Sequence, residues 1–254
     1  MKMMKAAGRC DIGNQRKNNE DAIFLSLDPL GSLSNLFIVA DGMGGHRGGE
    51  YASQYAIQYF CDYIKQNHFN ITKQTIVTIL VEGVLYANEK LYTISMKQNE
   101  LRGMGTTFIV ATIFNDHLYI ANVGDSRLYL LDQEIKKITC DHSLVEEMVR
   151  KGNLSEDEAE HYPNKNIITR AVGTEKTVQV DTYIVKLLPG QWILMCSDGL
   201  TNMLTDEEIQ DIVQSNQKLE AKVDHLIHVA NDKGGFDNIS VILIDWKTKE
   251  VTTS

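Results

Sequence analysis

The chain has 254 residues, 43% of them hydrophobic and 23% charged, a balance that excludes an extended disordered protein and suits one globular domain. A formal net charge of -9 without clustered Lys and Arg excludes a general nucleic-acid binder, because such binding rests on neutralising phosphates. Four scattered cysteines, Cys10, Cys61, Cys140 and Cys196, form no CxxC pair, which argues against both a zinc ribbon and a disulfide framework.

The first residues, "MKMMKAAGRCDIG", carry two lysines but no apolar h-region, and no later stretch has the length to cross a bilayer. A cytoplasmic protein with no membrane association is the expectation. With only three prolines, no fixed-period repeat and no low-complexity linker, residues 1 to 254 read as one domain. In chain order, "DAIFLSL" and "NLFIVA" predict strands around a Gly/Ser/Pro-containing turn. Ala52, Tyr55, Ala56, Tyr59, Phe60 and Tyr63 recur at helical spacing, as do Ile76, Leu80, Val84, Ala87, Leu91 and Ile94, predicting two amphipathic helices packed as a pair across a sheet.

"TTFIVATIF", "HLYIANVG" and "SRLYLLD" follow as three strands with short polar turns, the pattern of an antiparallel meander. From about 142 to 172 the chain becomes polar, with capping-box pairs Ser143/Glu146 and Ser155/Glu158, and predicts a flap with short helices. "VQVDTYIVKL" and "QWILMCSDG" return to strand. Thr205 and Glu208 cap a further helix, Leu219, Val223, Leu226, Ile227 and Ala230 mark a last one, and "NISVILIDW" is a buried strand. Strands grouped with strands and helices with helices describe an α+β protein.

Four aspartates sit where an apolar run meets a turn: Asp41 after "FIVA", Asp125 after "IANVG", Asp198 after "ILMCS" and Asp237 before "NISVIL". Any single Asp-Gly is explained by an Asx turn. Four such sites at the ends of neighbouring strands would bring like charges together, and a cation must then compensate. Oxygen ligands without His or Cys at ligand spacing select magnesium or manganese over zinc. A pair of such ions activates water and polarises phosphoryl oxygens, so a phosphoester hydrolase is the leading reading.

"RKNNEDAIF" (16 to 24), "VADGMGGHRGGE" (39 to 50), "GMGTTFIVA" (103 to 111), "NVGDSRLYLL" (122 to 131), "DHSLV" (141 to 145), "ITRAVG" (168 to 173), "CSDGL" (196 to 200) and "DNISVIL" (237 to 243) stand in this order across almost the whole chain. Together they closely resemble the metal-dependent Ser/Thr protein phosphatases of the type 2C (PPM) family in its compact bacterial form. The glycine-rich loop alone carries little weight, since it lacks the Lys-Ser/Thr ending of a P-loop.

The resemblance implies a four-layer α-β-β-α sandwich of two antiparallel sheets flanked by helical pairs, with Mn²⁺ or Mg²⁺ in a cleft at one end. It implies two core ions and a third, weaker one. Asp41 would bridge the pair, helped by the Gly42 carbonyl; Asp198 and Asp237 would complete one shell; Glu20, with Asp21 as a further candidate, would hold waters of the other; Asp125 would share the third ion with Asp198. Arg16 would grip the substrate phosphate, supplying the positive centre that an acidic chain otherwise lacks. The implied reaction is direct attack of a metal-bridging water or hydroxide on phosphoserine or phosphothreonine, reversing the marks of a cognate Ser/Thr kinase.

Many family members carry His directly after the Asp-Gly, where this chain has Met43; His46, three residues on, is a candidate general acid, with a metal-held water as the alternative. His142, Thr169 and Arg170 read as structural. A binding module lacking activity and a phosphatase acting on a regulatory anti-sigma antagonist are the rival classes, and monomer is the default state.

Overall fold

The computed structural model describes residues 3–44, 47–155, 158–159, 162 and 166–247. Its strands are β1 (Met3–Asp11), β2 (Asp21–Ser26), β3 (Leu36–Met43), β4 (Gly105–Thr106), β5 (Phe108–Phe114), β6 (His117–Val123), β7 (Arg127–Leu131), β8 (Ile135–Lys137), β9 (Asp181–Lys186), β10 (Trp192–Cys196) and β11 (Ile239–Lys247). Its α-helices are α1 (Gly48–Gln66), α2 (Lys73–Lys97), α3 (Leu144–Arg150), α4 (Asp198–Thr201), α5 (Asp206–Gln214) and α6 (Leu219–Asp232). Two antiparallel sheets result, one ordered β1-β11-β10-β7-β8 and the other β2-β3-β5-β6-β9, with β4 added beside β3.

The layering follows from the two-residue period of the strands. In β3, Phe37 and Val39 face the first sheet, packing with its Leu128, Met195 and Ile242 and with Ile109 of their own sheet. Leu36, Ile38 and Ala40 face the other way, against Ala52, Ala56 and Phe60 of α1 and Leu80 and Val84 of α2. The outer face of the first sheet, with Leu194, Val241 and Leu243, is covered by Ile209, Val213, Val223 and Leu226 of α5 and α6. Strands covered on both faces need apolar residues at every position, which is why "FIVA" and "ILMC" are unbroken runs.

The expected meander stops after two strands. β6 pairs with β5 and β9, whereas β7 pairs with β10 and β8 in the opposite sheet. The crossing occurs at Gly124, whose φ of +105° suits glycine and where a side chain would meet Thr107 at 2.6 Å. Local alternation records that a strand is buried but not which sheet it joins.

β1 and β8 lie outside the predicted elements; β1 is completed by its full-length pairing to β11, from Met3↔Lys247 to Asp11↔Ile239. The reciprocal capping box forms at Thr205 and Glu208. At Ser143 only half of it forms, the hydroxyl accepting from the Glu146 N–H. The flap leaves after β8, and its two limbs join through Leu144 N–H to Ile167 O and Thr169 N–H to His142 O. Ser155 and Glu158 exchange both capping bonds, but most of the second predicted flap helix lies outside the described residues.

Candidate functional site

The register brings the predicted carboxylates to one end of the sandwich. In the β2–β3 ladder Asp21 stands directly opposite Asp41. In the other sheet β10 ends at Cys196, and the following Ser197 N–H reaches the Ser240 carbonyl at 3.1 Å, which places Asp198 beside the Asp237-Asn238 turn before β11. Ser197 also donates its hydroxyl to Asp21 Oδ2 at 2.7 Å, tying the two sheets together at the site. Asp125 arrives on the β6–β7 crossing, where Ser126 is hydrogen-bonded at 2.7 Å to Thr107, whose own hydroxyl accepts the Asp41 N–H at 2.9 Å.

These acids feel one another. Burial pushes the Asp41 carboxyl well above the usual carboxylate range, reinforced by the charges of Asp21, Asp198, Asp125 and Asp237. Burial raises Asp21 to about 7, opposed by hydroxyl hydrogen bonds and reinforced by Asp198 and Asp237. Asp125 rises to about 7 through burial and then the charges of Asp198 and Asp141. Asp198 is raised by burial and then by Asp237, with its Oδ2 taking a bond from Asn202 at 3.0 Å. Asp21 Oδ1 and Asp198 Oδ1 are buried without a hydrogen-bond partner. A folded protein seldom leaves buried carboxylate oxygens so, and a hard cation is the ligand they fit.

Among the described residues, no three His, Cys, Asp or Glu side chains are gathered closely enough to enclose an ion by themselves. Hard cations commonly take backbone oxygens and water beside carboxylates. The Gly42 carbonyl is suitably placed: a Cβ on Gly49 would stand 2.8 Å from this oxygen and 2.3 Å from Glu20 Oε2, so only a bare α-carbon lets the two oxygens converge at the start of α1.

Arg16 is at the rim, half-exposed, with its guanidinium 2.7 Å from Asp237 Oδ2. It is thus held against the carboxylate cluster by a charge-assisted bond while keeping donors toward solvent. His46 lies outside the described residues. His142 is buried, accepting the Gly124 N–H on Nδ1 at 3.0 Å and standing 3.2 Å from Asp181 Oδ2 through Nε2. Burial lowers its pKa, and a neutral ring that joins the flap to the Asp125 loop agrees with the structural reading. Arg170 pairs with Asp181 at 2.9 Å, likewise a structural role.

Sequence reasoning missed Asn238. Its Oδ1 accepts the Glu20 N–H at 2.8 Å, and its Nδ2 donates to Ile12 O at 2.9 Å and Asn18 O at 3.0 Å. One amide thereby holds the loop that carries both Arg16 and Glu20. The available signal was a polar residue immediately before a largely apolar strand, and it carried no indication of a partner 218 positions away in the chain.

A family model for protein phosphatase 2C matches residues 12–235. The serine/threonine phosphatase stp of Listeria monocytogenes serotype 4b is 41% identical over 245 residues, covering 95% of this chain and 96% of the relative. The solved S. agalactiae serine/threonine phosphatase superposes with a TM-score of 0.90 at 36% identity, covering 96% of this chain and 100% of its own. The catalytic domain of the serine/threonine protein phosphatase PstP, solved in complex with two manganese ions, gives 0.83 at 30% identity, covering 96% and 99%. Motif order, sheet topology and these likenesses agree, and the chain belongs to the protein phosphatase 2C family.

Proposed function

We propose that the protein is a metal-dependent phosphatase removing phosphate from phosphoserine and phosphothreonine of proteins, with residues 1 to 254 forming one catalytic domain. The observation that carries this reading is the meeting of Asp21, Asp41, Asp125, Asp198 and Asp237 at one end of the sandwich with Arg16 on its rim. The family is metal-dependent, and the manganese-bound neighbour supports two core ions here, with Asp125 and Asp198 as donors for a third.

Asp41, Asp198, Asp237 and the Gly42 carbonyl would hold the ions, with Glu20 and Asp21 ordering their surroundings. When bound, such ions supply an activated water and polarise phosphoryl oxygens. The chain's own contribution is placement. Arg16 offers a planar fork to two phosphate oxygens, and its bond to Asp237 aims that fork before substrate arrives. Thr107 and Thr106 hydrogen-bond the Asp41 backbone, and Asn238 fixes the Arg16 loop, so little rearrangement precedes binding.

Hydrolysis of matched phosphoserine, phosphothreonine and phosphotyrosine peptides with manganese, with and without chelator, tests the function. Turnover of the first two that chelator abolishes is the expected result; indifference to chelator, or turnover of phosphotyrosine alone, overturns it. Arg16→Ala should lower kcat/KM for a phosphothreonine peptide by about 10- to 100-fold, mostly through KM, as loss of a charge-assisted pair predicts. Unchanged kinetics would make Arg16 an ordinary surface charge.

Gly49→Ala places a methyl group 2.3 Å from Glu20 Oε2 and 2.8 Å from the Gly42 carbonyl oxygen, a backbone atom that cannot swing away, and should depress both turnover and Tm. Parallel kinetics and thermal melts check this. The partners that follow are phosphorylated proteins and a Ser/Thr kinase that writes the marks; nucleic acid does not suit a net charge of -9. No helix among the described residues is long and apolar enough to cross a membrane.

A further inference from the structure

Among the described residues no large apolar side chain is more exposed than Phe236, at 61%. It immediately precedes Asp237, whose Oδ2 holds the Arg16 guanidinium at 2.7 Å. The ring folds back over Gly234, where an added Cβ would stand 2.8 Å from its Cε2 and Cζ, so it lies on the turn that leads into that ion pair.

The backbone beneath the ring is pinned. Gly234 N–H bonds Asn231 O at 3.0 Å and Gly235 N–H bonds Ala230 O at 3.1 Å, fastening the turn to the end of α6. The Gly235 carbonyl then accepts both the Asn14 N–H at 2.8 Å and the Gln15 N–H at 3.2 Å. The loop that carries Phe236 and the loop that carries Arg16 are therefore one strapped unit. A second apolar side chain, Ile12 at 39% exposure, sits on the Arg16 loop, with its carbonyl held by Asn238.

We propose that Phe236, with Ile12, is a specificity-determining platform that selects phosphorylated segments bearing an apolar side chain one or two residues from the phosphorylated Ser or Thr. This deepens the phosphatase reading and rests on it. An exposed phenyl ring on a pinned backbone has little conformational freedom to lose when a partner covers it, which is why aromatic residues dominate recognition surfaces. With the phosphate anchored at Arg16, an extended peptide advances ~3.3 Å per residue, and its first and second neighbours come within reach of the turn that carries the ring. The two apolar groups border a site otherwise made of carboxylates and amides, so they favour an apolar neighbour over a glycine or a charged one. An acidic chain is a poor match for an anionic lipid surface, and a peptide is the occupant the geometry favours.

The test uses two phosphothreonine peptides of equal length and charge, one with glycine and one with leucine at the positions flanking the phosphothreonine, assayed with manganese on the full chain. Wild type should favour the leucine peptide by about 10-fold in kcat/KM, through a lower KM, as covering a Phe-sized apolar surface predicts. Phe236→Ala should bring the leucine peptide down to the glycine peptide's value, and Phe236→Leu should restore part of the preference. Equal kcat/KM for the two peptides in wild type, or a preference that survives in Phe236→Ala, overturns the inference and leaves the phosphatase reading standing. Absence of turnover on both peptides overturns the reading and the inference together.

Discussion

Asp41→Asn is expected to lower the turnover of a phosphothreonine peptide by about 10²- to 10³-fold or more, the scale on which removing one pre-positioned electrostatic group slows an enzyme. The same substitution should raise the Tm of the chelator-treated protein. Both follow from one feature: the Asp41 carboxyl is partly withdrawn from water and stands in the field of four other acids, so the isosteric amide relieves desolvation and repulsion together. Asp198→Asn should behave alike. Asp237→Asn differs, because it also removes the charge that holds Arg16 at 2.7 Å, and its activity loss should include a larger rise in KM. Steady-state kinetics beside thermal melts in chelator check the pair of effects; an Asp41→Asn protein with near-normal turnover would remove Asp41 from the reaction.

Manganese should stabilise the protein strongly, and more at high pH than at low. Asp21 and Asp125 have folded pKa values of about 7 against an ordinary 3.8. Between those values the folded state holds protons that the unfolded state has released. The contribution of these groups to stability therefore falls as pH rises from about 4 to about 7, and stays flat above. A bound divalent ion takes the place of those protons and removes the penalty.

At about pH 8 and 100 times its Kd, one ion adds about 2.7 kcal/mol, which for a chain of this size is roughly 5–10 °C in Tm. At about pH 5 the ion must displace protons first, and the gain should shrink. Melting curves at the two pH values, each with chelator and with manganese, measure the difference. A manganese effect of equal size at both would mean that ion binding and these carboxylates are unconnected.

Much of the site was legible because the chemistry lies in residues that break a pattern. Asp41 ends an unbroken apolar run and Asp198 stands one residue past another, and a carboxylate in that position is costly unless something binds it. The helices were legible for a related reason: one buried stripe against a sheet imposes a 3.6-residue period, and α1 and α2 fall where Ala52 to Tyr63 and Ile76 to Ile94 predicted them. β1 was not legible, since "MMKAAGRCD" shows little alternation and its strand character comes from nine residue pairings with β11, at the far end of the chain.

What the sequence by itself determined was the identity of the acids, their positions at strand ends and the alternation of strand and helix, because these depend on near neighbours along the chain. Only the tertiary structure decided that β7 leaves the sheet of β6, that Asp21 faces Asp41 across a ladder, and that Asn238 clamps the loop of Arg16 and Glu20. Those outcomes depend on contacts between residues far apart in the chain, where pairing and packing of whole layers choose among arrangements that local periodicity leaves equal.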